Sequence, residues 1–472
     1  MLMRTHQPRS RRFAVLLACL LAQGLAGGAA ADDAAATADA VGEERDRLPS
    51  VASREENAQG EAPGWRESTL SGDWDGARQT LFDAGVQLDL VYSADYLRNT
   101  TGGLQRGGAY MGNVNLAVQF DGEKLIGWEG GSAYLELISN SGGRLNLNQV
   151  GSFMGVDNLE APVNRTGLFA AWLQQSFLDD QASLLLGLYP IDSEFYVTDS
   201  SGVFVHPSFG MAAEAADFGS LAGPSIYATS TYGARLRVDP DPAWYALLAI
   251  TRGIASERID SAGPNLSWQR GNGSMLIGEI GFSPARAGGF DEEPGPAEYS
   301  DDDFAPLSKL ALGVWRFSPR FAQLAAVDAA GEPLAATHWG AYLLAEQTVY
   351  RLPEAKRDLT LFVRYGFTDG RTSTLGYSLS TGLSVRGPFA GREDDTFGLA
   401  ATRAHADPQG RAQLANEAGR SLSAPDETVV ELTYQAALAP GVVVQPVVQR
   451  VFNPGFYLPH ATVAGVRLQL TL

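Results

Sequence analysis

Residues 463–472 read Val-Ala-Gly-Val-Arg-Leu-Gln-Leu-Thr-Leu. Ala464, Val466, Leu468, Leu470 and Leu472 fall on one side of an extended chain, and Gly465, Arg467, Gln469 and Thr471 on the other, because successive side chains of a strand point to opposite faces. The same period recurs upstream. In 359–368, Leu359, Leu361, Val363, Tyr365 and Phe367 oppose Thr360, Phe362, Arg364, Gly366 and Thr368. In 86–96, Val86, Leu88, Leu90, Tyr92, Ala94 and Tyr96 oppose Gln87, Asp89, Val91, Ser93 and Asp95. Segments 113–120 and 375–385 alternate likewise. About sixteen such segments are expected between 86–97 and 461–472, separated by Gly/Pro/Asp-rich turns. The sixth is placed at 226–238, the ninth at 309–318 and the tenth at 337–350. Helical spacing is found at 74–84, where Ala77, Leu81 and Ala84 precede Gly85, which predicts one short helix before the first strand.

A soluble sandwich also alternates. Two features point elsewhere. The polar faces are rich in Gly, Ser, Asn, Gln and Arg, as a water-filled interior requires, and Lys occurs only at 124, 309 and 356. The apolar faces carry aromatics near their ends: Tyr92, Tyr96, Phe120, Trp315, Phe317, Trp339 and Phe367. Aromatic girdles of this kind sit at the two interfaces of an outer-membrane barrel. The expected fold is therefore all-β, a transmembrane antiparallel β-barrel of about sixteen strands with a short N-terminal helix. Long connections (141–165, 191–225, 253–273, 319–336, 405–426) tend to alternate with short ones, as short periplasmic turns and long external loops do. The long acidic link 284–308 breaks that alternation.

Composition narrows the alternatives. The chain has 472 residues, a formal charge of −19, 45% hydrophobic and 19% charged residues, and one Cys. That aromatic, weakly charged composition excludes a disordered chain, and one Cys excludes a disulfide scaffold. An acidic chain is not a general nucleic-acid binder, so no nucleic-acid partner is expected. Beyond the N-terminus no apolar run is long enough for a spanning helix. The N-terminus itself has Arg4, Arg9, Arg11 and Arg12, then an apolar stretch at 13–21 and Ala29-Ala30-Ala31. This is the pattern of a secretory signal peptide over 1–31. Losing its four positive charges takes the net charge from −19 to −23. Residues 32–64 are Ala/Glu/Asp-rich without periodicity and read as a flexible spacer, leaving 65–472 as the barrel.

Four stretches carry a family resemblance: 70–86 (LSGDWDGARQTLFDAGV), 187–210 (GLYPIDSEFYVTDSSGVFVHPSFG), 383–400 (LSVRGPFAGREDDTFGLA) and 427–472, with Glu431, Tyr434, Gln445-Pro446, Gln449, Asn453-Pro454-Gly455 and Gly465-Val466-Arg467-Leu468. Together and in this order they resemble the OprB-type carbohydrate-selective porins over roughly 66–472. The resemblance implies a 16-stranded outer-membrane barrel of a Gram-negative bacterium that passes monosaccharides such as glucose by facilitated diffusion. Sugars, outer-membrane lipid and the barrel-assembly machinery are then the expected partners. Monomer and homo-oligomer stay open.

Candidate pore-lining residues follow from the faces. Arg235, Arg237, Arg364 and Arg467 are placed inward, as are Glu136, Glu279, Glu346 and Glu431, because a lipid-facing charge costs about 2–4 kcal/mol at the midplane. Opposed Arg and Glu hydrogen-bond hydroxyls or pair with each other to stiffen the wall. Trp172 and Tyr134, also in polar registers, either stack on sugar faces or pack internally. The 191–225 link takes the place of the third external loop, which enters the lumen in general porins. Its constriction candidates are Asp192, Glu194, Phe195, Tyr196, Asp199, Phe204 and His206.

An enzyme is not expected. The five His show no metal-ligand spacing, and neither a nucleophile elbow nor a phosphate loop occurs. No cofactor or metal is anticipated, and Asp301-Asp302-Asp303 reads as a solvated turn. Two readings remain beside the sugar porin. One is a porin for organic acids or aromatics. The other is a secreted soluble all-β glycan-binding protein.

Overall fold

A computed structural model describes residues 64–217, 223–255, 273–284 and 307–472. The signal-peptide reading, the spacer reading (Gly64 apart) and the 301–303 turn lie outside these residues. The strands are β1 (Val86–Thr101), β2 (Gly107–Asp121), β3 (Gly131–Gly142), β4 (Arg165–Phe177), β5 (Ala182–Leu188), β6 (Tyr232–Asp241), β7 (Trp244–Arg252) and β8 (Ser274–Phe282). They continue as β9 (Ser308–Val327), β10 (Pro333–Leu352), β11 (Arg357–Thr368), β12 (Leu375–Arg386), β13 (Thr396–Ala406), β14 (Asp426–Ala439), β15 (Val442–Phe452) and β16 (Ala461–Thr471). Each pairs antiparallel with its sequence neighbours, and β16 returns to β1, with Tyr92 opposite Leu470 and Asp95 opposite Arg467. The result is a closed 16-stranded barrel. Closure leaves no open edge, which is what a strand-built span through lipid requires.

The alternation resolves as the sequence predicts. On β9, Leu310, Leu312 and Val314 are exposed while Ala311, Trp315 and Phe317 are buried. On β11, Leu361, Tyr365 and Phe367 face out and Thr360, Phe362 and Arg364 face in. Tyr96, Trp339 and Phe367 are exposed. Trp315 and Phe317 correct the girdle reading. They share the inward phase of β9 and pack on His338, with ring centroids 5.0 and 5.7 Å from it.

Three boundaries differ from expectation. β6 begins at Tyr232, because 226–231 form a tight turn bridged between Ile226 and Thr229. Ser225 ties this turn across, accepting from Thr231 N at 2.9 Å and donating to the Tyr189 carbonyl at 2.7 Å. The 319–336 link is mostly strand. β9 and β10 run on to a turn in which Asp328 Oδ1 accepts from Ala330 N (2.8 Å) and Glu332 N (3.0 Å). The 405–426 link contains a helix, Pro408–Ala418, with Pro at its start and Gly419 at φ +62° after its end, the favoured residues at those positions.

The N-terminal helix α1 (Ala77–Asp83) is preceded by a single turn, Trp74–Gly76. Gly85, at φ +88°, ends it against the Asp121 carbonyl, where a Cβ would lie 3.1 Å away. The segment lies at the end of the barrel that carries the shorter turns. Leu70 N donates to the Thr471 carbonyl at 2.8 Å, and Arg78 reaches Thr69 Oγ1 (3.1 Å) and the Leu472 carbonyl.

Candidate functional site

Two connections at the opposite end fold into the barrel. One joins β5 to β6 and the other joins β3 to β4. A lumen-inserted backbone presents N–H groups that must be satisfied. Inward carboxylates of the wall supply the acceptors.

In the β5–β6 connection, Tyr196 N donates to Glu279 Oε2 of β8 at 3.3 Å. Asp199 N and Ser200 N donate to the two oxygens of Glu346 on β10, at 3.1 and 2.9 Å, and Ser200 Oγ adds a third bond at 2.8 Å. Val205 N and His206 N do the same to Glu431 on β14, at 2.7 and 2.9 Å. Arg364 of β11 donates to the Phe209 and Gly210 carbonyls. Glu279, Glu346, Glu431 and Arg364 are thus inward and hold this connection, Glu279 also accepting from Tyr245 and Tyr342 Oη of the wall at 2.6 Å each and Glu431 from Gln449 at 3.0 Å. They do not line the open chamber.

Tyr196 is the hub of the insertion. Its ring stacks on Tyr342 with centroids 3.6 Å apart. Its hydroxyl accepts from Trp315 Nε1 at 2.9 Å and donates to Glu214 Oε1 at 3.2 Å. Glycines make room for these groups. A Cβ on Gly313 would lie 2.0 Å from the Tyr342 ring, and one on Gly366 would lie 1.8 Å from Glu214 Oε1.

The other candidates divide between wall and chamber. Arg235 is fully buried, donating to Glu194 Oε2 (2.9 Å) and Gln174 Oε1 (2.6 Å). Arg237 pairs instead with Asp239 (2.7 Å) near the short-turn end, away from the chamber. Trp172 is buried behind Tyr134, the rings stacked 5.1 Å apart, so only Tyr134 reaches the chamber. Glu136 reaches it as well, holding Tyr134 Oη (3.1 Å) and Asn115 Nδ2. Phe195 is fully buried. Asp199 contributes its backbone. His206 is buried against Phe209, its Nδ1 accepting from Ser208 N at 3.2 Å. Asp192, Tyr196 and Phe204 line the chamber.

Sequence reasoning missed the β3–β4 connection. Its residues 153–160 form the facing side of the chamber. Arg467 of β16 grips Asp95 with two bonds of 2.8 and 2.6 Å, reaches Asn158 Oδ1 at 2.5 Å and lies 3.6 Å from Asp157. Asn158 N donates to the Val205 carbonyl at 2.9 Å, joining the two insertions directly. A long Gly-punctuated link with Asp-Asn at 157–158 was the available signal, and it has no distinguishing pattern.

Between the insertions lies a chamber of about 740 Å³. Its ionisable lining is acidic: Glu136, Asp157, Glu160, Asp192 and Asp217 against Arg467. Burial pushes the Asp192 carboxyl up to about 6, opposed by the Tyr227 N–H it accepts at 3.0 Å. Burial and then the neighbouring Asp95 hold Asp157 well above the carboxylate range. Burial pushes His206 down to about 3, so it stays neutral near neutral pH. Asp192 is consequently uncharged below about pH 6 and anionic above it. Cation-over-anion permeability, read from reversal potentials in a salt gradient, should rise as pH passes upward through that value. Asp192→Asn should remove its share of the rise; an unaltered profile would rule out this role.

Residues 105–472 match the family described as carbohydrate-selective porin, OprB family. The chain belongs to that family. As an OprB-family porin it is a channel of the Gram-negative outer membrane, with its short turns on the periplasmic side. Porin B of Pseudomonas aeruginosa is 24% identical over 432 residues, covering 85% of this chain and 90% of that protein. The high-pH structure of Pseudomonas putida OprB superposes with a TM-score of 0.75 at 20% identity, covering 87% of this porin and 100% of that chain. The low-pH structure of the same protein gives 0.53 at 17% identity, over 86% and 99%. These likenesses carry the fold.

Proposed function

We propose that this OprB-family porin passes neutral sugars of monosaccharide size, such as glucose, into the periplasm by passive facilitated diffusion. The observation that carries this reading is the mixed lining of the chamber. Phe153 and Tyr227 are half-buried and offer ring surface, beside Asn113, Ser193 and the carboxylates. A pyranose has an apolar C–H face that packs on rings and a rim of hydroxyls that hydrogen-bond to amides and acids. Several weak contacts of this kind let a solute both enter and leave.

Charge argues against organic acids as the main solute. Above about pH 6 Asp192 adds a negative charge to the lining, and the one lining guanidinium, that of Arg467, is already held by Asp95 and Asn158. A carboxylate solute meets like charge there. Planar-bilayer conductance with a solute panel tests the reading. Glucose should reduce the ion current in a saturable way, and gluconate should not. Block by gluconate without block by any neutral sugar would replace the sugar reading with the organic-acid one.

A further inference from the structure

The wall carboxylates that hold the β5–β6 connection have a counterpart that serves the other insertion. Glu427 lies on β14, two repeats of the pleat before Glu431 on the same face, and is fully buried. Its Oε1 accepts from Ser152 Oγ at 2.5 Å and Met154 N at 3.0 Å. Its Oε2 accepts from Phe153 N at 2.9 Å and Gly455 N at 2.6 Å. One carboxylate therefore takes four donors, three of them from consecutive residues of the β3–β4 connection. The fourth comes from the β15–β16 connection. Glu427 does not line the chamber.

We propose that Glu427 is a positioning residue for permeation: it fixes Ser152, Phe153 and Met154, and through them sets the side of the constriction formed by Phe153, Asp157 and Asn158. A functional group is held in place only as well as the residues behind it are held. Gly151 and Gly155, at φ +74° and +84°, bracket the clamped triplet. They give the segment backbone conformations that other residues adopt at a cost; within the connection Asn146 holds the Ser152 N–H and carbonyl, both at 2.8 Å, while the Phe153 and Met154 N–H groups go to Glu427. Beyond Gly155 the chain meets Arg467 through Asp157 and Asn158, and meets Val205 of the other insertion. The clamp thus stands upstream of the point where the two insertions touch.

The carboxylate is required rather than merely a polar group. Both oxygens accept, and an amide in the same place offers one acceptor and turns an N–H₂ toward donors. Glu427→Gln should loosen the triplet while keeping the shape of the side chain.

The inference rests on the pore reading but not on the identity of the solute, so the ion current alone tests it. In planar bilayers, full-length Glu427→Gln should raise single-channel KCl conductance at least about twofold and add open-state noise, as a widened and mobile constriction does. The glucose concentration giving half-block should rise with it. A Glu393→Gln variant, at an exposed position of the 387–395 turn at the other end, should match the unaltered protein. Heat-modified gel mobility reports that the barrel is closed in each variant. A closed Glu427→Gln barrel with unchanged conductance and noise would overturn the proposal. If that variant does not close, hydrogen exchange on the unaltered protein decides. The Phe153 and Met154 amides should be strongly protected, and exchange at the rate of an open loop would overturn the proposal. Failure of glucose to block either protein, with the conductance change intact, would count against the sugar reading and leave the positioning role standing.

Discussion

Replacing residues 195–211 by a short Gly/Ser linker should raise single-channel conductance several-fold and abolish sugar block, while the barrel still closes. The replaced segment supplies Tyr196, Phe204 and Phe209 to the chamber and the backbone groups gripped by Glu279, Glu346, Glu431 and Arg364. Removing it opens the lumen and returns those four side chains to water, where their charge is solvated. The wall is unaffected in principle, because its strand pairing is complete without the insertion. Bilayer recordings measure the conductance, and heat-modified mobility reports closure. Conductance equal to that of the unaltered porin would show that this connection does not limit the pore.

The second large effect is on stability. Arg467→Met leaves the buried Asp95 without the guanidinium that grips it, beside the equally buried Asp157. Breaking a buried pair by removing one partner costs about 3–5 kcal/mol, because the surviving charge has no compensation. The loss also falls on the seam of the barrel, since Arg467 on β16 is directly opposite Asp95 on β1. The temperature at which the folded gel band disappears should drop markedly for Arg467→Met. Asp95→Asn combined with it should recover part of the loss, because one uncompensated charge is gone. With the Asp95→Asn single variant closing the cycle, additive losses in the double variant would mean that the two residues are not coupled.

The barrel was legible because its determinants are local. A period of two needs only neighbouring residues, and the faces of β11 and β16 were assigned correctly from sequence alone. The inward direction of Glu136, Glu279, Glu346, Glu431 and Arg364 followed from the same period. What each of them does once inside did not. Whether Glu346 meets a solute or the Ser200 amide depends on a connection 146 residues away in the chain, and no periodicity encodes that distance. The β3–β4 insertion was invisible for a related reason. Its residues are ordinary for a surface loop, and what draws it inward is the acceptor Glu427 on β14 with the donors Gln449 on β15 and Arg467 on β16. Trp315 shows the opposite failure: an aromatic near a strand end suggests a girdle, but its parity on β9 sends it to the interior.

The grip of β8, β10, β11 and β14 on a connection that leaves β5 bears on the order in which the molecule is made. The segment from Tyr196 to Gly210 emerges before any of the strands that hold it. Its partners Glu346 and Glu431 follow at separations of 146 and 226 residues. Contacts that close such long stretches of chain are slow to form, since the ends must meet before any bond compensates the lost freedom. The full set of hydrogen bonds exists only after β14 and β15 have taken their places, since Gln445 of β15 donates to the Val203 carbonyl at 2.6 Å. The narrow passage therefore cannot be complete until most of the wall that surrounds it has formed.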